Sequence, residues 1–260
     1  MHLFSIITIC RNNLNELIGT YESIKSQSFK DYEWIVIDGN SSDGTKDWLK
    51  INHFNQKWIS EPDKGIFDAM NKGIQFSEGK YLIFINSGDG FSDNMVLSNI
   101  QDVLKTKIRE PSFIYGDSID MDESGKEFYK KAKDFHFIKK GMITQHQAML
   151  FNKIHFPDLK FEPEYKLTGD YALACDIIHK SGSENITKVD FPICKFRMGG
   201  TNELFRFKAL CEDFKIRRRI LKISKTESIQ LLILHFIHTL IKKTIPSSRF
   251  IMHKKVMQQN

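Results

Sequence analysis

The chain has 260 residues, 41% of them hydrophobic, which suits one large α/β domain or a domain with an appendage. Its four cysteines, Cys10, Cys175, Cys194 and Cys211, lack metal-ligand spacing, which excludes a zinc module and makes them reduced core thiols of a cytosolic protein. The net charge of +6 is uneven: residues 206–260 carry 13 Lys/Arg against 3 Asp/Glu, and the body before them is mildly acidic.

The N-terminus enters a strand directly, Phe4 to Cys10, so no signal peptide is expected. Arg11-Asn12-Asn13 breaks that strand. Leu14, Leu17, Ile18, Tyr21 and Ile24 then recur at helical spacing, with Asn13 and Glu16 resembling a capping box. Trp34 to Ile37 reads as a second buried strand ending on Asp38. The polar loop 39–45 leads to a helix with Trp48, Leu49 and Ile51. A short strand around Lys57-Trp58-Ile59, the loop 60–65 and a helix over 66–77 follow. The run Tyr81-Leu82-Ile83-Phe84-Ile85 is apolar and breaks into Asn86-Ser87-Gly88-Asp89, a fully buried strand leading to a carboxylate.

This βαβαβαβ order calls for right-handed crossovers and a parallel sheet. It collects Arg11, Asp38 and Asp89 at the carboxyl ends of the strands, where α/β sheets bind ligands. Asp89 suits Mg²⁺ or Mn²⁺ there. Asn-Ser-Gly-Asp is also ordinary turn chemistry, and the four residues alone admit both readings. A helix is expected over 94–104, a strand at 113–115, and a hairpin turning at Asp122-Glu123-Ser124-Gly125. The segment 143–151 is mixed. Asp170 falls at the start of a helix that Gly182 stops, either as a first-turn acid or as a reactive group. A final strand over 186–197 runs into Gly199-Gly200-Thr201, which reads as a phosphate-side loop or a plain turn.

Five motifs occur in order: Ser5-Ile6-Ile7-Thr8, Ile37-Asp38-Gly39 with Ser41 and Asp43-Gly44-Thr45, Glu61-Pro62-Asp63-Lys64-Gly65, Asp68-Ala69-Met70-Asn71-Lys72-Gly73, and Asn86-Ser87-Gly88-Asp89. Together, over about residues 3–205, they resemble the family 2 glycosyltransferases. The resemblance implies a GT-A fold, a Rossmann-like, mostly parallel α/β sheet with flanking helices. It implies inverting transfer from a nucleotide-diphosphate sugar, most often a UDP-sugar, with Mg²⁺ or Mn²⁺. It places Thr8, Arg11, Asp38, Asp63, Lys64, Asn86 and Asp89 around the nucleotide, with Asp38 on the base and Asp89 as the metal ligand. Asn86 and Gly88 stand where the family carries acids, which leaves Asp89 as the one charged ligand. Asp170 matches the catalytic base, and His146 borders the acceptor, unless it is a partly buried structural histidine. Asp117 and Asp120 are weaker acceptor candidates.

The expected organisation is a catalytic domain over 1–205, with a nucleotide half to 110 and an acceptor half from 111, then a basic helical tail over 206–260. The apolar run 229–241 is shorter than a membrane-spanning helix and is flanked by cations. It reads as an in-plane interfacial helix on the cytoplasmic face of the inner membrane, or as a helix packed on the domain or on a dimer partner. The expected acceptor is a saccharide or lipid-linked saccharide of surface polysaccharide assembly. Nucleic-acid binding lacks an interleaved aromatic pattern. Two other classes compete. One is a non-catalytic nucleotide-sugar-binding or scaffold protein, favoured by the thinned metal motif. The other is a nucleotidyltransferase, which lacks its Gly-rich phosphate loop here.

Overall fold

In the computed structural model, which describes residues 1–52, 56–199 and 205–244, the apolar runs become the strands expected of them. These are β1 (Phe4–Cys10), β2 (Tyr32–Asp38), β3 (Gln56–Ser60) and β4 (Tyr81–Phe84). β1 pairs in parallel with both β2 and β4, and β2 with β3. Alternate residues of each strand feed two cores. Ile7, Ile35 and Phe84 pack under α3 (Ile66–Phe76) on one face. Ile6, Trp34 and Ile83 pack under α1 (Leu14–Lys25) and α2 (Thr45–Ile51) on the other. Burial on both faces is why these strands are continuously apolar rather than alternating. Gly73 lets α3 lie against β1, since a Cβ there would stand 2.4 Å from Ile7.

The second half mixes directions. After the two-residue β5 (Gly90–Phe91) and α4 (Val96–Thr106) come β6 (Phe113–Met121), β7 (Glu127–Lys130), β8 (Met149–Asn152), α5 (Gly169–Ser181) and β9 (Ile186–Arg197). β8 lies antiparallel between β4 and β6, and β9 runs parallel to β6 through a register shift. One nine-stranded sheet therefore spans both halves, in the order β3-β2-β1-β4-β8-β6-β9-β5 with β7 on β6. α6 (Arg206–Arg219) and α7 (Lys225–Thr244) pack on each other, and α6 on α5.

Three local expectations are corrected. The strand aimed at Asp89 stops at Phe84. The chain then turns, with the Asp89 N–H donating to the Asn86 carbonyl and Gly88 at φ +96°, a conformation that favours glycine. The Asn13–Glu16 capping box does not form: the Leu14 N–H donates to Asp43 from the loop after β2, and Glu16 faces Arg197 at 3.5 Å. Three of the thiols are buried, but Cys211 is exposed. The hairpin at Asp122 forms as read, its carboxylate accepting the Ser124 and Lys126 N–H groups. Gly200 and Thr201 of the Gly-Gly-Thr loop, and residues 245–260 of the tail, lie outside the described residues.

Candidate active site

The carboxyl ends of β1, β2 and β3 meet in one stitched loop system. Asp38 ends β2 wholly buried. Its carboxylate accepts the Ser41 N–H at 3.1 Å, the Ser41 hydroxyl, and the Ser60 hydroxyl at 2.6 Å. Asn12, at positive φ, donates its N–H to Ser41 Oγ and accepts the Ser42 N–H. Arg11 emerges exposed on top of this network. Gly39 sits beneath it: a Cβ at Gly39 would stand 2.5 Å from Asp63 Oδ2 and 3.2 Å from Arg11 Cδ. A guanidinium, a carboxylate and bare backbone therefore converge at one point. Lys64 is exposed beside them, its N–H held by Asp68. Thr8, expected to border the nucleotide, lies buried inside the sheet, donating to the Ile85 carbonyl at 2.6 Å and accepting from Trp34 Nε1 at 2.9 Å.

At the tip of β4 stands a second polar cluster. Asp89 is 8% exposed, and each of its oxygens is engaged: Oδ1 accepts the Arg197 N–H at 3.0 Å, and Oδ2 accepts Gln147 Nε2 at 2.6 Å. Burial pushes its pKa up to about 6 against the pull of those two donors. Asn86 Nδ2 meets His146 Nε2 at 3.3 Å, so the amide donates to a neutral ring whose pKa burial pushes down to about 4. Among the described residues, the carbonyl oxygens Asn86 Oδ1 and Gln147 Oε1 are buried without a hydrogen-bond partner, which leaves two acceptors open beside the acid. Asp117 is buried and accepts the Ala132 N–H and the Tyr129 hydroxyl; Asp120 accepts from Gln145 Nε2 at 3.0 Å.

Asp170 occupies the first turn of α5. It is partly buried, and burial pushes its pKa up to about 6, opposed by the Tyr171 N–H it accepts at 2.9 Å and by the charge of Arg206. An aromatic layer links it to the β4 tip. Gly169 lies against the Phe67 ring, Phe67 stacks on Phe161 at 5.1 Å, Phe161 meets Phe84 at 5.3 Å, and Phe84 meets His146 at 6.3 Å. The loop before Asp170 is clamped by Glu212 of α6. The Glu212 carboxylate accepts the N–H groups of Lys166 (3.2 Å), Leu167 (2.9 Å) and Thr168 (3.0 Å), and the Thr168 hydroxyl. Sequence reasoning missed Gln147 and Glu212, because each acts on a residue far away in the chain. The Gln145-His146-Gln147 triplet was a visible signal for the first, and nothing local marked the second.

The family model described as Glycosyl transferase family 2 matches residues 5–162. The chain is 39% identical over 105 residues to the Uncharacterized glycosyltransferase Rv1514c of Mycobacterium tuberculosis, covering 40% of each chain. It is 29% identical over 119 residues to the Escherichia coli UDP-Glc:alpha-D-GlcNAc-diphosphoundecaprenol beta-1,3-glucosyltransferase WfgD, covering 44% of this chain and 45% of that one. The chain thus spans less than half the length of these curated relatives. Among solved structures, S. aureus TarS 1-349 in complex with UDP-GlcNAc superposes with TM-score 0.65 at 15% identity, over 88% of this chain and 70% of that one. The mannosyltransferase PcManGT from Pyrobaculum calidifontis, in complex with GDP-Man and Mn²⁺, does so with TM-score 0.63 at 12% identity, over 100% and 81%.

Proposed function

Because this chain belongs to glycosyl transferase family 2, we propose that it moves a hexosyl or N-acetylhexosaminyl group, with inversion, from a UDP-sugar to a saccharide or lipid-linked saccharide acceptor. The observation that carries the reading is Asp170: a partly buried carboxylate at a helix start, its pKa near 6, on a loop held rigid by Glu212. A general base works best with a pKa close to the working pH. In the transfer, the acceptor oxygen bonds to the anomeric carbon as the bond from that carbon to the diphosphate breaks. The nucleoside diphosphate leaves with the electron pair, and the acceptor proton passes to Asp170. Arg11, Asp63 and Lys64 border the nucleotide, with Gly39 admitting close approach. Asp38 holds the loop that shapes the base site. His146, neutral, faces the acceptor or the phosphates. The UDP donor and the lipid-diphosphate acceptor are supported by the names of WfgD and the TarS complex, and the tail would bring the enzyme to the membrane carrying such acceptors.

The oxygen donors at the β4 tip fit a divalent cation. Asn86 Oδ1 is a hard oxygen without a partner, and Asp89 supplies charge beside it. Among the described residues no group of three or more His, Cys, Asp or Glu could hold a metal alone. Asn86 and Asp89 are the residues that would hold it. Mg²⁺ or Mn²⁺ held there would supply positive charge against the departing diphosphate. The alternative of a non-catalytic nucleotide-sugar-binding protein on the same fold is favoured by one observation, that both Asp89 oxygens already accept protein hydrogen bonds.

Calorimetry with UDP, GDP and dTDP, with and without Mn²⁺, followed by UDP-sugar turnover in wild type and Asp170→Asn, tests the proposal. Expected are metal-dependent UDP binding in both proteins and a loss of turnover of about 10²–10⁴-fold in the variant alone. Binding without turnover in either protein selects the non-catalytic reading, and absence of nucleotide binding sinks the donor site.

A further inference from the structure

α7 half-buries Leu231 and Leu232 and yet leaves a row of apolar side chains turned outward. The side it presses onto the protein carries Ser228, wholly buried, Thr239, 6% exposed, and His235, which sits beside Gly141. The side it turns outward carries Ile229, Ile233, Leu234 and Ile237, each between 39% and 61% exposed, while Phe236 packs on the Phe207 ring of α6 at 5.1 Å. A helix on the surface of a water-soluble domain is patterned the other way, apolar stripe inward and polar face outward. Exposed apolar side chains clustered on one helix face mark a contact with something apolar.

The charge around that face says what the contact is. Lys222 and Lys225 stand exposed at the α6–α7 corner, without an ion pair among the described residues, and Arg218 is exposed on the last turn of α6. The last turn of α7 has Lys242-Lys243 in its sequence. A second copy of this chain docking face to face would bring two tails of 13 Lys/Arg and 3 Asp/Glu together, and like charge opposes that. An anionic lipid surface offers hydrocarbon to the stripe and phosphate to the cations. No helix among the described residues is long and apolar enough to cross a membrane, and the polar face of α7 is tied to the protein. Its outer face therefore lies along the surface.

We propose that the outward face of α7, centred on Ile233 and Ile237, is an in-plane docking surface for anionic lipid. It stands independently of the transfer chemistry and extends it: α6, packed on α7, carries the Glu212 that clamps the loop before Asp170, so the lipid-facing helix is two contacts from the candidate base.

The test is flotation of the full chain with phosphatidylcholine vesicles, alone or with about one-third phosphatidylglycerol, for wild type and for Ile233→Asn with Ile237→Asn. Circular dichroism and UDP calorimetry run on the same samples. Expected are binding to the anionic vesicles, weakening as salt rises, and a loss of about tenfold or more in the double variant with its helix content kept. Wild type left in the supernatant with anionic vesicles would overturn the proposal, as would a double variant that binds them equally. A dimer that the two substitutions split, with no vesicle binding, would assign the face to a second copy and overturn it too. Vesicle binding without UDP binding would keep this surface while sinking the donor site; the reverse pair would do the opposite.

Discussion

Asp89, Asp170 and Asp213 hold their protons up to about pH 6, because each is taken out of water further than its donors compensate. For Asp170 as the proposed base, this sets the expected working range. A base must be ionised, so transfer should fall on the acid side with an apparent pKa near 6 rather than near the usual 4. A pH–rate profile in saturating donor reads it directly. For Asp89 the same burial makes Gln147 important. Replacing Gln147 with Leu removes the donor on Oδ2 and leaves a buried acid with one protein partner. Gln147→Leu should cost about 1–3 kcal/mol of stability in urea unfolding at pH 7, and less at pH 5, where the acid is protonated. An equal loss at both pH values would mean that Gln147 matters by packing alone.

Between elements, the most informative contact is the one between α6 and the loop ahead of α5. Glu212 is an anion set among three backbone N–H groups at a helix start, where the helix dipole also favours negative charge. Glu212→Gln keeps the shape but turns one acceptor oxygen into a donor. It also removes a charge that raises the Asp170 pKa. The variant should lose about tenfold in kcat, about 1.4 kcal/mol of barrier, with UDP affinity unchanged. The acid limb of its pH profile should move to lower pH. A loss confined to thermal stability, with the pH limb in place, would reduce Glu212 to a fastening. The corresponding fastening of α6 is Arg217, wholly buried, which donates to the Lys139 carbonyl at 2.9 Å and lies 5.7 Å from the centre of the Tyr171 ring.

For the whole molecule, the pH response of stability is a contest of signs. The three raised carboxylates bind protons in the folded chain between about pH 4 and 6 that the unfolded chain has released, so they favour the fold as pH falls through 6. His146 and His235 do the reverse. Burial pushes both down to about 4, so between about 4 and 6.5 the unfolded chain takes up protons that the fold refuses. His235 faces Arg217, Arg206 and His238, which push it down further, against a backbone hydrogen bond with Lys140. Three groups against two leave a net uptake of somewhat under one proton by the fold, so stability should rise by about 1 kcal/mol as pH falls from 6 to 4.5. His235→Asn removes one opposing group. Thermal unfolding should then show the variant gaining on wild type by about 1 kcal/mol per pH unit of acidification in that window. No relative gain would place a charged His235 in the fold.

Much was legible because it is local. Runs such as Trp34 to Ile37 are apolar on every residue, and Ile6 to Cys10 on all but Thr8, which a doubly covered strand explains, so four parallel strands and their crossovers followed from pattern alone. Asp38, Asp89 and Asp170 were visible because each stands where an apolar period stops. What the carboxylates do was not visible. The partners of Asp89 lie 58 and 108 residues away, and those of Asp38 include Ser60 across a crossover. Thr8 was placed near the nucleotide only through the family resemblance, and its bonds to Trp34 and Ile85, across the sheet, were not visible. β8 was unreadable because four residues between antiparallel neighbours carry no period of their own. The apolar run 229–241 showed that a helix was present, and nothing in it said which face would turn outward. Periodicity is a property of neighbours in the chain, so the sequence by itself determined elements, family and the roster of acids. Burial, hydrogen-bond partners and the outward face of α7 arise when distant segments close on one another, and only the tertiary structure decided them.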